Sequence, residues 1–387
     1  MIERAVTPHL LEQAGHFPVV TLLGPRQSGK TTLARHTFPD YRYANLERGD
    51  LRELAERDPA AFFKAFPPPV VIDEVQRVPT LLSEIQVLVD EDRRPGRFIL
   101  TGSHQPRLRE GIAQSLAGRT GLLRLLPFSL DELASAGVHP SRDEAVFRGF
   151  FPGIVADGVP PGDYLDAYLE TYVERDVRQL VNLADASAFR LFLRLLAGRV
   201  GQVANLQSLA GDVGVTATTL AHWLSVLEAS FLVFRLPPCF ENFGKRFVKS
   251  PKIYFTDVGL AAHLLQIEEL SQVARDPLLG GLFENLVVLE ALKARRNAGK
   301  PPDLYYLRNQ SRMEIDLLLA ARRRFRAVEI KAAMTRQADQ ARHLETFRKL
   351  AGDRLEKSAV AYAGDLEVST GGTDWISFRH TARWLST

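Results

Sequence analysis

The sequence predicts an α/β protein: a parallel sheet covered on both faces by helices, then a helical segment, a helix-turn-helix and a second α/β region. Three observations predict it. Over residues 1–142, short apolar runs alternate with stretches of helical periodicity, and strands separated by helices pair in parallel. The first of these runs ends in a glycine-rich loop that opens a helix. From about Phe283 the rhythm changes to one long helical pattern followed by several strand-like runs.

The elements follow in order. Phe17–Leu23 is a short apolar run and reads as a buried strand. Thr32–His36 continues as a helix. Tyr41–Leu46 reads as a strand and Gly49–Arg57 as a charged helix. Val70–Glu74 is an apolar strand ending in two acids, with a helix over Leu81–Glu91 behind it. Arg97–Thr101 is a strand that Gly102-Ser103 closes; a helix near Leu108–Leu116 and a strand over Gly121–Leu126 complete the sheet. Residues 143–198 read as helical, including Tyr164–Leu183 with apolar residues at helical spacing. Val203–Pro237 has the pattern of a winged helix-turn-helix: a helix over Leu206–Ala210, a turn over Gly211–Val215, a second helix over Thr216–Ala229 capped by Thr216, and a wing strand over Phe231–Leu236. The last part offers a helix over Phe283–Arg296, strands over Leu304–Leu307, Glu314–Leu319 and Phe325–Ile330, a helix over Arg336–Ala351 and a strand over Ser358–Tyr362. The expected domains are 1–142, 143–198, 199–265 and 266–387.

Composition narrows the class. With 387 residues, 45% of them hydrophobic, the chain can bury two or three cores. A net charge of +3 permits a nucleic-acid partner without demanding one. The single cysteine, Cys239, excludes an internal disulfide, and none of the nine histidines pairs with it at zinc spacing. No signal pattern opens the sequence and no apolar run is long enough for a bilayer, so the expectation is a soluble cytoplasmic chain without a membrane partner.

Gly24-Pro25-Arg26-Gln27-Ser28-Gly29-Lys30-Thr31 matches the phosphate-binding pattern G-x-x-x-x-G-K-[ST] at every fixed position. The glycines let the backbone curl so that successive N–H groups, through Thr32, point at phosphate oxygens. Lys30 reaches the β- and γ-phosphates of ATP, and the Thr31 hydroxyl ligates Mg2+. Ligands of parallel α/β sheets lie beyond the carboxyl ends of strands. That places Asp73 near the Mg2+ and Glu74 where it can deprotonate an attacking water. Thr101 or Ser103, on the same edge, is positioned to touch the γ-phosphate; the sequence does not choose between them.

Gly24–Thr31, Val70–Glu74 and Phe98–Ser103 look like the Walker A, Walker B and sensor-1 elements of AAA+ ATPases. More narrowly, the chain resembles a bacterial and archaeal family of AAA+-type ATPases whose C-terminal domain has unknown function. Leu116–Thr120, Pro127–Glu132, Tyr172–Asp176 and Glu329–Lys331 extend the resemblance over nearly the whole chain. It implies an arginine finger, often supplied by a neighbouring subunit, and therefore self-association into a ring such as a hexamer. Arg119 and Arg175 are the candidates, each equally readable as a surface or ion-paired arginine; Arg26 also lies within reach of phosphate or a neighbour.

The later segments suggest a target. The second helix of the helix-turn-helix carries Thr216, Thr218, Thr219 and His222, able to contact DNA, but no Lys or Arg; basic residues follow at Lys245, Arg246, Lys249 and Lys252. The alternative is a packing module. Glu284, Asp316, Glu329 and Lys331 form a second chemical signal. Period-two alternation puts Glu329 and Lys331 on one strand face, and a hairpin brings Asp316 alongside. The layout resembles the PD-(D/E)xK nuclease core, with Ile315 where a proline usually stands. Arg308, Arg312, Arg322, Arg323, Arg324 and Arg326 surround it. Cleavage with Mg2+, DNA binding without cleavage, and a structural role all remain open at this point. The expectation is an ATPase driving movement on, or remodelling of, DNA, with a nucleotide-gated nuclease or an ATP-driven switch for a protein partner as alternatives.

Overall fold

A computed structural model describes residues 2–103, 111–112, 114–177, 186–239, 248–309, 313–321 and 323–387. They divide into two compact units: residues 1–128 with 229–231 and 296–300, and residues 129–228 with 232–295 and 301–387. Residues 129–142 of the first expected segment fall in the second unit, and 229–231 and 296–300 of the later ones fall in the first unit.

The first unit is built on five strands: β1 (Val19–Gly24), β2 (Arg42–Asn45), β3 (Val70–Asp73), β4 (Phe98–Ser103) and β5 (Thr120–Arg124). Their order is β2-β3-β4-β1-β5 and every pairing is parallel. β1, β3 and β4 are buried along their whole length, as strands covered on both faces must be, which is why they read as continuous apolar runs. One face packs Leu23, Ile72 and Leu100 against Leu81 and Ile85; the other packs Val20, Leu22 and Ile99 against Leu10 and Leu33. The helices Gly49–Arg57 and Leu81–Glu91 lie where the periodicity predicts them. Two further helices, Thr7–His16 and Pro59–Ala65, escaped it: both begin at or beside a proline, which reads as a breaker although it suits the first helical turn.

The second unit carries an antiparallel pair, β6 (Val233–Leu236) and β7 (Lys252–Phe255), and a six-stranded mixed sheet. The latter comprises β8 (Leu304–Arg308), β9 (Glu314–Ala321), β10 (Arg324–Lys331), β11 (Leu355–Tyr362), β12 (Val368–Thr370) and β13 (Thr373–Ser377), in the order β12-β13-β11-β10-β9-β8. β8, β9 and β10 meander antiparallel, while β10-β11 and β11-β13 are parallel. A buried nineteen-residue helix, Leu279–Asn297, precedes this sheet.

The helix-turn-helix is present with shifted limits. Its first helix runs Leu206–Val213, so Gly211 is helical, and the turn falls at Gly214, whose φ of +81° ends the helix in the left-handed conformation. The second helix is Ala217–Ala229, with the Thr216 hydroxyl accepting from the Thr219 N–H. Tyr164–Leu183 is not one α-helix: Pro161–Tyr168 is α-helical and Leu169–Val177 is a π-helix, the remainder lying outside the described residues. The helix expected from Arg336 begins at Arg342, after a single 3-10 turn. Among the described residues no helix is long and apolar enough to cross a membrane.

Candidate functional site

The glycine-rich loop connects β1 to the helix Lys30–Thr37. Its backbone needs its residues. Gly29 has φ +91° and caps the helix, and a Cβ on Gly24 would lie 2.1 Å from the Leu125 carbonyl oxygen. Ser28 is buried and its hydroxyl donates to the Pro25 carbonyl at 3.0 Å, tightening the turn. Lys30 is also buried; its ammonium donates to the Gly24 and Pro25 carbonyls at 3.2 and 2.7 Å. Burial lowers the Lys30 pKa to about 8, against the pull of Glu74 and Asp73, and nearby Arg26 lowers it further.

Asp73 ends β3 beside this loop. It is 3% exposed, which rules out a solvated turn. Thr31 donates to its two oxygens at 2.9 and 3.0 Å, Tyr43 donates to Oδ2 at 2.8 Å, and Thr101 donates to Oδ1. Burial, with the Asp73 bond second, raises the Tyr43 pKa. Glu74 is half-buried, with φ +58° and ψ +44°, a conformation unusual for a side chain of its size. Its carboxylate accepts from the Gln76 amide, and its N–H lies 3.4 Å from the Thr101 hydroxyl. Ser103 sits opposite Gly24 in the β1-β4 register; its hydroxyl is buried and has no hydrogen-bond partner among the described residues. Thr101 is engaged with Asp73, so of the two candidates Ser103 is the one with an uncommitted group.

The arrangement fits the group that the motif implies. A hydroxyl and a carboxylate within 3.0 Å of one another are hard oxygen donors of the kind Mg2+ takes, together with water and phosphate oxygens. The loop residues Gly24, Pro25, Arg26, Gln27, Ser28, Gly29, Lys30, Thr31 and Thr32 form one continuous turn into the helix.

Three participants had no sequence signal. Arg4 donates to the Ser28 and Leu126 carbonyls at 2.9 and 2.6 Å and lies over the Phe128 ring, tying the loop to the residues after β5. Tyr43 reaches Asp73 because β2 pairs with β3. Gln76 holds Glu74 from the 3-10 turn that follows it.

The arginines are not assembled here. Arg119 precedes β5 at the amino end of the sheet, where Thr120 pairs with Val19, roughly 16 Å from Gly24 along the strands at about 3.3 Å per residue. Its guanidinium grips Asp90 with bonds of 2.9 and 2.8 Å. Within its own chain, Arg119 therefore does not approach the loop. The Arg175 side chain lies outside the described residues, as do Lys245, Arg246, Arg312 and Arg322.

The second unit brings Glu284, Asp316, Glu329 and Lys331 into one cluster. Asp316 and Glu329 share a hydrogen bond, Asp316 also accepts from the Ile330 N–H at 2.8 Å, and Lys331 donates to Glu329 at 3.0 Å and lies 3.8 Å from Asp316. His343 approaches Glu329 at 3.1 Å. Burial, then the neighbouring Asp316, drives the Glu329 pKa well above the usual carboxylate range. Burial would raise Asp316 too, but Lys331 and Lys252 hold it low. Glu284 is pushed to about 7 by burial, against the pull of Lys252, and Asp316 nearby raises it further. One expectation is corrected: Lys252 does not belong to an exposed basic run. It is 1% exposed and binds Glu284 and Glu314 at 2.7 and 2.5 Å. Arg308 and Arg326 are likewise paired, to Glu314 and Glu356.

Comparison with known proteins bears on both units. Residues 16–134 match the family described as AAA domain, residues 140–271 the domain of unknown function DUF8612, and residues 279–380 the domain of unknown function DUF4143. The chain is 34% identical over 374 residues to the uncharacterized proteins Rv2008c of Mycobacterium tuberculosis and Mb2031c of Mycobacterium bovis, covering 94% of this chain and 81% of each relative. Among solved structures, similarity extends to a Walker-type ATPase of Pyrococcus abyssi (18% identity, TM-score 0.43, 68% of this chain and 96% of that one). It extends also to AMPPCP-bound DnaA of Aquifex aeolicus (15% identity, TM-score 0.29, 58% and 85%). With its parallel sheet, its glycine-rich loop and this extent of identity, the chain belongs to the family of the two mycobacterial proteins and is an AAA-type P-loop ATPase.

Proposed function

We propose that the chain binds ATP with Mg2+ at Gly24–Thr32 and hydrolyses it through Glu74, and that hydrolysis drives remodelling of, or movement on, DNA. The observation that carries the first part is the meeting of the Thr31 hydroxyl, the buried Asp73 carboxylate and the buried Lys30 ammonium at the carboxyl edge of β1 and β3. In this reading Lys30 leaves the loop carbonyls for the β- and γ-phosphate oxygens, and the turn's N–H groups bind the same phosphates. Thr31 and Asp73 would hold Mg2+, which when bound offsets the charge of the β- and γ-phosphates. Glu74 takes a proton from the water that attacks the γ-phosphorus, releasing ADP and phosphate. Ser103 donates its hydroxyl to a γ-phosphate oxygen or to that water. Gln76 releases Glu74 when the water arrives.

The ring arrangement rests on the need for an arginine finger, which a neighbouring subunit often supplies. Arg119 is committed to Asp90 in its own subunit, which leaves Arg26, Arg175 or an arginine on a neighbour's surface as the finger, as in a ring of identical subunits. The DNA part of the reading is supported by Thr216, Thr218 and His222, exposed along the second helix of the helix-turn-helix. That helix carries no Lys or Arg, so binding would lean on contacts elsewhere and weaken steeply with salt.

The experiment is phosphate release with and without duplex, forked and single-stranded DNA at low salt. Stimulation by DNA that disappears in Lys30→Ala supports the reading. Hydrolysis indifferent to all three, with no DNA bound, would leave an ATP-driven switch acting on a protein partner.

A further inference from the structure

We propose that the carboxylate cluster of the second unit takes its counter-charge from inside the chain: the Lys252 ammonium stands where a divalent cation would be needed, and the unit neither holds Mg2+ or Mn2+ there nor cuts nucleic acid.

The argument begins with how Lys252 gets there. It opens β7, which pairs antiparallel with β6, and Asn285 clamps Phe255 of the same strand with bonds to both its N–H and its carbonyl, at 2.8 and 2.9 Å. This fastens β7 to the helix Leu279–Asn297 and carries the Lys252 side chain inward beside Glu284. The ammonium then meets Glu284 Oε1 at 2.7 Å and Glu314 Oε1 at 2.5 Å, and lies 5.4 Å from the centre of the Tyr306 ring. Burial works against its charge, yet Glu284, Asp316 and Glu314 together outweigh burial, so the lysine stays protonated.

The remaining faces of Glu284 are filled as well. The Tyr254 hydroxyl donates to the same Oε1 at 2.6 Å. On the other side Gly201, with φ +74°, approaches so closely that a Cβ there would lie 3.2 Å from Oε2. Mg2+ demands near-octahedral oxygen coordination and keeps several waters. Glu284 offers it an oxygen already bound by an ammonium and a phenol, and a second oxygen against backbone.

Charge leads to the same conclusion. Four carboxylates gather here: Glu284, Glu314, Asp316 and Glu329. Lys252 answers Glu284 and Glu314, Arg308 lies 3.5 Å from Glu314, Lys331 answers Glu329 and Asp316, and His343 stands beside Glu329. The chain's own cations thus match the acids to within one charge. A divalent ion would have to expel a buried, doubly paired ammonium, and breaking such a pair is costly. Among the described residues, no three His, Cys, Asp or Glu side chains are arranged to hold a metal ion.

The test uses the full-length chain without nucleotide and follows free Mn2+ by its EPR signal during a titration. Wild type is expected to show no Mn2+ binding that Glu284→Gln or Asp316→Asn removes, and no Mn2+-dependent cleavage of plasmid DNA that Lys331→Ala removes. Either result, if found, overturns the proposal. Lys252→Met, which keeps the stem and drops the charge, is expected to gain Mn2+ binding at least about tenfold tighter than wild type, with a melting temperature that rises on adding Mn2+. Lys252→Arg is expected to behave as wild type. A folded Lys252→Met that gains no Mn2+ binding also overturns it; should that variant not fold, the two wild-type measurements decide alone.

Discussion

The two acidic centres of this chain hold similar side chains and treat them in opposite ways. In the first unit, Asp73 is met by three neutral hydroxyls, from Thr31, Tyr43 and Thr101. The nearby Lys30 spends its donors on loop carbonyls, and the Ser103 hydroxyl has no partner among the described residues. In the second, Glu284, Glu314, Asp316 and Glu329 are met by ammonium and guanidinium groups. Neutral donors orient a carboxylate without cancelling its charge, so it can still attract a cation. Ionic partners cancel it. Whether acids near a lysine form a centre for chemistry or a buried strut therefore depends on where the positive charge points.

The comparison can be broken or sharpened by measurement. The largest expected effect is at the loop: Lys30→Ala should reduce ATP turnover by ~10³-fold or more, since a preorganised charge aimed at developing negative charge is among the strongest catalytic terms. Glu74→Gln should lower kcat by ~10²–10⁴-fold while ATP binding survives; equal loss of both would show that Glu74 supports the loop and does not serve as the base. In the second unit, Lys252→Met should destabilise the fold by about 3–5 kcal/mol in urea unfolding, because it leaves buried carboxylates unpaired. A cost near zero would mean that the lysine is no strut and the contrast fails.

A smaller effect is expected at Tyr43. Tyr43→Phe removes one neutral bond to Asp73, worth about 1.5–3 kcal/mol at most for a charged acceptor, and should appear as a higher Mg2+ requirement with the fold intact. Smallest is the pH effect. Free Lys30 has its pKa lowered to about 8 by burial, whereas phosphate oxygens favour its charged form. Binding near pH 8 must then take up protons, and affinity, full below that pH, should fall as the pH rises through it. Calorimetry of ATP binding in two buffers of different ionisation enthalpy would read the uptake directly; no uptake would mean that Lys30 is already fully charged.

Most of the first site is written in a contiguous motif. Gly24–Thr31 is one turn of chain, and Asp73 and Glu74 close the apolar run Val70–Ile72, so local pattern locates them. Arg4, Tyr43 and Gln76 carry no such mark, because a carbonyl tie, a neighbouring strand and a 3-10 turn have no spacing rule. The second cluster was half legible. The β9-β10 hairpin follows from alternation, and with it the meeting of Asp316, Glu329 and Lys331. Glu314 and Lys252 did not, since alternation places them as well on a surface as in a core. The edge strand β12 and its neighbour β13 were too short to rise above the surrounding turns.

What the sequence determines by itself is whatever chain neighbours decide: the strand–loop–helix that cradles phosphate, the acids at the end of β3, the alternation in β9 and β10. What only the tertiary structure decided is the direction of long charged side chains. Arg119 turned to Asp90 at the far end of its sheet, and Lys252 turned inward between Glu284 and Glu314. A lysine or arginine has four or more rotatable bonds and no periodicity of its own. Its partner is chosen by whichever buried carboxylate the folded chain brings within reach, and that choice separates a basic surface from an internal counter-ion.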